Sequence, residues 1–434
     1  MEGNNGEVKK NGKKEGEEKK ITVLHLSWEY PPHKVGGLGT HVQNLSKAEV
    51  EANIQPIVLT CGFNGNCGIS LEDGVLVYRV DADGIPAEDF FSWTLQMNIL
   101  LQAASAEIFS KYKIDLIHAH DWLVTTTAVA LKHIYRIPLV ATIHALESGR
   151  YGGIKGDRQM MIHDLEGKLV FEAWRVICCS NFMKYSVVGT FCCPEDKVDV
   201  IPNGVNVSDF EFDYNRNEFK RKYAMPEEKI VLFVGRHVWE KGLDVLIGAI
   251  PMILERHPEA KFVITGDGYL RGQCESLANQ IAPQGKVLFT GYLPDKELKM
   301  LMKTADVMVI PSRYEPFGIV ALEGLAAKTP IVVADTGGLG EIVRHEENGI
   351  KIWVDNSESL AWGVNYILDN PERAKQIVEN GYKEVKEKYS WVSIAKQTRQ
   401  VYERILAEYS RVNWKPRFNF WEKRNGVSKL GIKE

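Results

Sequence analysis

Residues 229–242 read KIVLFVGRHVWEKG, and residues 243–256 continue LDVLIGAIPMILER. The opening run, 229–234, is apolar without alternation, as in a strand covered on both faces. A Gly-Arg turn and an apolar-rich helical stretch follow. This strand–loop–helix unit begins just after residues 206–228, where Asp, Glu, Asn, Arg and Lys crowd the sequence. A β/α rhythm that restarts after a polar break implies a second domain. Downstream, 261–265, 286–290, 306–310 and 330–334 read as strands and 298–304, 371–389 and 392–411 as helices.

Upstream the same rhythm runs through strands at 21–26, 56–60, 75–80, 115–118, 138–143 and 176–180. Helices lie between several of them, at 92–112 and 125–135 among others. Strands alternating with helices make a mostly parallel sheet. The expected fold class is therefore α/β, with two doubly wound domains facing a cleft. Ligands of such sheets bind beyond the carboxyl ends of the strands. The expected map is a disordered tail over 1–20, a first domain over 21–205 and a linker over 206–228. A second domain covers 229–390. A C-terminal helix over 391–412 can cross back to the first domain, and a basic, aromatic tail covers 413–434. The tail assignment at 1–20 rests on six lysines and five glutamates against a single aliphatic residue, Val8, too little to offset ordering entropy. Two domains on a polar linker are expected to hinge and close on a ligand.

A formal net charge of −4 leaves no global basic field for nucleic acid. No apolar run reaches the ~18 residues of a membrane span, and no signal-peptide segment opens the chain, so a cytoplasmic location is expected. Seven cysteines in such a chain do not suggest a disulfide framework. The pairs Cys178-Cys179 and Cys192-Cys193 lack C-x-x-C spacing, and neighbours on a strand point to opposite faces. No metal is expected.

Four groups of residues could carry chemistry. Lys34-Val35-Gly36-Gly37-Leu38-Gly39 joins the first strand to the first helix, where glycines admit a close ligand and a helix start attracts phosphate; a tight turn is the bland alternative. It is not the G-x-G-x-x-G dinucleotide fingerprint, which argues against a dehydrogenase. Arg236 and Lys241 place two cations at a helix start, where the dipole disfavours them unless an anion joins. That anion could be a diphosphate. Glu315 and Glu323 form an E-x7-E pair after the strand at 306–310. Glu323 falls among apolar neighbours and needs a partner, either sugar hydroxyls or a structural salt bridge. In the first domain His118, His120-Asp121 and His144 follow strands. His118 reads as structural. His144, with Glu147 and Arg150 behind it, reads as a site.

In order along the chain, Lys34–Leu38, Ile201-Pro202-Asn203-Gly204-Val205, Gly235-Arg236…Lys241-Gly242, Thr265-Gly266-Asp267-Gly268 and Glu315…Glu323 resemble the retaining GT-B glycosyltransferases of the "group 1" type. Lys34–Leu38 looks like the K-x-G-G-L loop of glycogen and starch synthases. The segment His144–Arg150, with Glu172-Ala173-Trp174-Arg175-Val176-Ile177, is similar to a glycogen-synthase-like branch of that group. The resemblance covers about residues 21–410. It implies two Rossmann-like domains, the first on the acceptor side and the second binding a nucleotide-sugar. It implies transfer of a hexose, glucose above all, from an ADP- or UDP-sugar to the end of an α-1,4-glucan.

By the same resemblance Arg236 and Lys241 hold the donor diphosphate and Glu323 the ribose. Glu315 binds the donor sugar with the backbone of Phe317, Gly318 and Ile319. His144 lies near the reacting carbon, the Gly36-Gly37 loop closes over the phosphates, and Lys34 lies near the diphosphate or the acceptor. Asp121, Glu147 and Arg150 fall on the acceptor side. Retention follows a same-face displacement in which the leaving phosphate takes the acceptor proton. No cofactor or metal is implied, because Arg and Lys supply the charge. The rival readings are a lipid or sugar-phosphate acceptor, and a non-catalytic nucleotide-sugar-binding protein. Glu49 and Glu51 beside Lys47 on the first helix are unlike a basic membrane patch, and both glutamates with both cations argue for an enzyme.

Overall fold

The computed structural model describes residues 20–414; the tails read at 1–20 and 413–434 lie almost wholly outside them. The first sheet has eight strands: β1 (Ile21–Leu26), β2 (Ile54–Gly62), β3 (Gly68–Glu72), β4 (Val75–Asp81), β5 (Leu116–His120), β6 (Leu139–Ile143), β7 (Arg175–Cys178) and β8 (Val198–Val200). They lie in the order β3-β4-β2-β1-β5-β6-β7-β8. Only β3 runs antiparallel to its neighbour, across an Asp73-Gly74 turn with both residues at positive φ, which matches the twist of a hairpin.

The second sheet contains β9 (Lys229–Val234), β10 (Ala260–Thr265), β11 (Val287–Gly291), β12 (Val307–Ile310), β13 (Ile331–Ala334) and β14 (Ile350–Ile352). Its order is β11-β10-β9-β12-β13-β14, parallel throughout. Each sheet is wound outward in both directions, from β1 and β5 in the first and from β9 and β12 in the second. The loops after those four strands meet at the switch points, where such folds bind ligands.

The segment 206–228 corrects the linker reading. Phe210, Phe219 and Tyr223 are buried. Tyr214 Oη bonds Thr304 Oγ1 at 3.0 Å and Arg216 donates to the Thr304 carbonyl at 2.7 Å. Lys303 reaches the carbonyls of Phe210 and Phe212. The charged residues that gave the segment its polar look alternate with aromatics, and the aromatics dock it on helix Asp295–Thr304. The chain instead crosses between domains near Val205 and again near Tyr389, and the Val205 N–H donates to the Tyr389 carbonyl at 2.9 Å.

Helix Trp391–Arg411 lies on the first domain. Trp391, Ile394, Tyr402 and Ile405 share one buried cluster with Ile21, Val23, Leu116 and Val140. Tyr402 is fully buried; its hydroxyl donates to Glu49 Oε1 at 2.8 Å and lies 2.6 Å from His118 Nδ1. Removing that hydroxyl strands a buried acceptor. Tyr402→Phe is therefore expected to cost about 1–3 kcal/mol in denaturant unfolding, and an unchanged midpoint would contradict this account.

Candidate active site

The loops after β9 and β12 lie side by side. Lys241 Nζ donates to Glu315 Oε2 at 2.7 Å, and Ser312 Oγ donates to the same oxygen at 3.0 Å. Arg236 Nη2 donates to Glu240 Oε1 at 2.8 Å. The chain thus supplies an anion to each cation, and the helix dipole does not by itself require a ligand there, contrary to the expectation from the sequence. Both pairs are part-exposed on the cation side, so a diphosphate can still reach them.

Gly318 starts helix Ile319–Ala326 at φ 108°, and a Cβ there would fall 2.6 Å from Leu339 Cδ2. The Phe317 ring is buried near Tyr389, which leaves only its backbone to a ligand. Glu323 sits in this helix, and its carboxylate makes no hydrogen bond or ion pair with any described residue. Burial pushes it up to about 7, although Lys299 and Lys34 pull the other way. The salt-bridge alternative for Glu323 finds no partner among the described residues. For Glu315 it does, in Lys241.

Lys34, Gly36 and Gly37 are exposed on the first domain's rim. The helix begins at Gly37, three residues earlier than the sequence suggested. A residue the sequence reading passed over, Glu29, explains the glycines. Its Oε2 accepts from the N–H groups of Val35 at 2.5 Å and Gly36 at 3.0 Å. A Cβ at Gly39 would lie 3.1 Å from the same oxygen. Burial raises the Glu29 carboxyl against the pull of those amides. An internal carboxylate thus rests where this helix start offers its N–H groups. Across the cleft, a Cβ at Gly37 would lie 3.1 Å from Ile319 Cδ1, so the glycine loop touches the helix that carries Glu323.

The first domain contributes His144, whose Nε2 lies 3.3 Å from His120 Nδ1 and whose N–H donates to Asp121 Oδ1 at 2.6 Å. Burial, then Arg150, pulls His144 down to about 3, so it stays neutral and can bond hydroxyls without carrying charge. Asp121 is held at φ 60°, ψ 177°, a conformation L-residues adopt only when their surroundings impose it. Burial raises its carboxyl to about 6. Arg150 lies in the field of Asp121 and Glu147 from its own domain and of Tyr314 and Glu240 from the other, and its guanidinium bonds no described residue. Glu147 is buried, and its N–H donates to Glu166 Oε1 at 2.8 Å. Burial pushes Glu166 up to about 8, and its other oxygen has no partner among the described residues. His118 is held between Tyr402 and Thr142, away from the opening.

The domains touch directly. The Leu146 N–H donates to Tyr314 Oη at 3.1 Å, and Ser180 Oγ donates to the Pro316 carbonyl at 2.6 Å. The Glu341 carboxylate caps the N–H groups of Asn181 and Phe182 at 3.0 and 2.7 Å. Asn181 Nδ2 donates to the same carboxylate at 3.0 Å, so Glu341→Ala removes three charge-assisted bonds across the domain contact. It is expected to enlarge the radius of gyration in small-angle scattering, with donor restoring the compact value. An unchanged radius in the variant would count against these contacts as the latch.

Two doubly wound domains, meeting over a cleft lined at both switch points, form the GT-B architecture of glycosyltransferases. Residues 35–209 match the family described as Glycosyltransferase Family 4, and residues 215–384 that described as Glycosyl transferases group 1. An uncharacterised glycosyltransferase of Methanocaldococcus jannaschii is 43% identical over 386 residues, covering 88% of this chain and 98% of its own. A glycogen synthase of Mycobacterium tuberculosis is 34% identical over 399 residues, covering 88% and 94%. The solved sucrose-phosphate synthase from Thermosynechococcus elongatus superposes with a TM-score of 0.78 at 25% identity, over 90% of this chain and 100% of that one. The chain belongs to the group 1 glycosyltransferases and is a transferase. No helix among the described residues is long and apolar enough to cross a membrane.

Proposed function

We propose that this enzyme is a retaining hexosyltransferase that moves glucose from an ADP- or UDP-sugar to the end of an α-1,4-glucan. The observation that carries the reading is Glu323, a desolvated carboxylate without a partner among the described residues, on the helix that follows the Lys241–Glu315 pair. A pair of ribose hydroxyls would supply its missing hydrogen bonds. The diphosphate would then lie against Arg236 and Lys241. As it draws Lys241 away, Glu315 is released to accept from the sugar hydroxyls. The bond from the anomeric carbon to the diphosphate breaks as the bond to the acceptor oxygen forms on the same face, and the leaving phosphate oxygen takes the acceptor proton. Fixed cations stabilise the charge that develops on that phosphate.

The acceptor side supports a neutral polyol. Asp121, Glu147 and Glu240 lie around one guanidinium, Arg150; Glu166, pushed up to about 8 by burial, adds little charge at neutral pH. This mostly acidic surround disfavours a phosphorylated acceptor. The similarity to a glycogen synthase supports the same choice.

The test is a panel of ADP- and UDP-sugars against glycogen, maltooligosaccharides and hexose phosphates, reading nucleotide release and product length. Chain extension of the oligosaccharides by a glucose donor is expected. Faster transfer to a hexose phosphate than to any glucan would overturn the acceptor assignment.

A further inference from the structure

Five histidines from separate parts of the first domain converge beneath the cleft, and their hydrogen bonds determine which ring nitrogens carry protons. His25 Nε2 lies 2.7 Å from Glu49 Oε2. A carboxylate accepts, so the neutral His25 ring carries its proton there and leaves its Nδ1 bare. That bare Nδ1 lies 3.1 Å from His120 Nε2. His120 must therefore donate through Nε2, which leaves its own Nδ1 bare. His41 Nδ1 lies 2.7 Å from Asn203 Oδ1 and donates to it, which leaves Nε2 bare. His41 is 4% exposed, and its Nε2 has no partner among the described residues. The lone pair of His41 Nε2 is thus left without a donor among the described residues, and that of His120 Nδ1 faces His144 Nε2 at 3.3 Å.

We propose that His41, His120 and His144 form a binding site for a divalent cation of the zinc type. One ring nitrogen from each lies within 4.8 Å of the others. His120 Nδ1 and His144 Nε2 are already 3.3 Å apart, close to the edge of a tetrahedron with metal–nitrogen bonds of about 2.0–2.1 Å. Closing the third corner asks for a movement on the order of 1 Å, within the latitude of side-chain rotation.

The outer partners are those such a site needs. Glu49 acts on His120 through His25, and Asn203 acts on His41; both orient a ligand and raise its basicity. With His120 Nδ1 bare, the proton between the two rings sits on His144 Nε2, and a metal ion there requires His144 to carry its proton on Nδ1 instead. Glu49 and Asp121 supply negative charge nearby. The ligands lie at 41, 120 and 144, a separation that no short metal motif covers.

On the glycosyl-transfer reading, a bound ion takes His144 from the sugar and holds the enzyme inactive. The site itself does not depend on that reading, and its test needs no substrate. Co²⁺ stands in for Zn²⁺ and is titrated into the protein without donor. One equivalent should give the intense visible absorption of four-coordinate, nitrogen-bound cobalt, and Zn²⁺ should abolish it. His41→Gln and His144→Gln should each weaken binding by at least ~100-fold, beyond the ~10–100-fold typical of an outer partner. His144 is only part-buried, so its variant is informative even if the His41 variant fails to fold. His257→Gln, which alters the separate His257–Glu259–Asp369 cluster, should leave the spectrum intact. Absorption of octahedral cobalt only, a spectrum that survives His144→Gln, or one lost with His257→Gln would each overturn the proposal.

Discussion

Lys241→Ala and Arg236→Ala are each expected to lower turnover by ~100-fold or more, the scale on which one preorganised charge-stabilising group acts. The structure adds a distinction between them. Lys241 is bound to Glu315, and Ser312 bonds the same carboxylate oxygen. Losing the lysine therefore leaves Glu315 tied to Ser312 and without its cation, so the sugar contact is disturbed as well as the phosphate contact. Arg236 pairs with Glu240, four residues away, and its loss touches the phosphate more narrowly. Lys241→Ala should accordingly lose more in kcat than Arg236→Ala. Neither cation is in a core, so melting temperatures should move little. Near wild-type turnover in either variant would remove that residue from the leaving-group site.

The second expectation is that Glu323 and Glu315 fail in different ways. Ribose contacts persist from ground state to transition state, so Glu323→Ala should raise KM for donor and weaken binding of the free nucleoside diphosphate. Glu315 would touch only the sugar. Glu315→Ala should lower kcat and spare affinity for the free diphosphate; by releasing Lys241 it can even tighten that binding.

The pH dependence gives an independent reading of the same residue. Unliganded Glu323 titrates at about 7, and the ionised form is the better double acceptor for two hydroxyls. Affinity for the diphosphate should fall by ~10-fold per pH unit below 7 and level off above it. In Glu323→Gln that contribution disappears. The nucleotide's own phosphate ionisation is common to both proteins and cancels in the comparison. Calorimetric titration across pH 5.5–8.5, an interval chosen to bracket about 7, measures it. Equal loss of nucleotide affinity in both alanine variants, with lowered melting temperatures, would make the two glutamates structural.

Much of the architecture was legible because buried parallel strands leave mostly apolar runs: β9 holds one from Ile230 to Val234, β12 is apolar throughout, and β1 and β10 are interrupted only by Thr22, His25 and Lys261 before their last residues. The strands that escaped notice are short or exposed. β8 and β14 have three residues each, and β3 has no fully buried position, although its Asp73-Gly74 turn was a usable hairpin signal. The order of the strands could not be read, since parallel neighbours are joined by long crossovers that leave no local mark on either strand.

By itself the sequence determined the rhythm of strands and helices, the placing of Gly36-Gly37, Arg236, Lys241 and Glu315 on loops after strands with Glu323 on the helix that follows, and the low net charge that leaves no global basic field. These are local or additive properties, and residue order carries them. Only the tertiary structure decided which charges pair. It gave Lys241 to Glu315 and Arg236 to Glu240, set Glu29 against the amides at 35 and 36, and left Glu323 without a partner among the described residues. It also gathered histidines from positions 25, 41, 118, 120 and 144 into one network. A carboxylate's partner is whatever lies within a few ångströms, and contacts across 74 residues between Lys241 and Glu315, or 353 between Glu49 and Tyr402, exist only once the sheets have formed and helix Trp391–Arg411 has crossed between the domains.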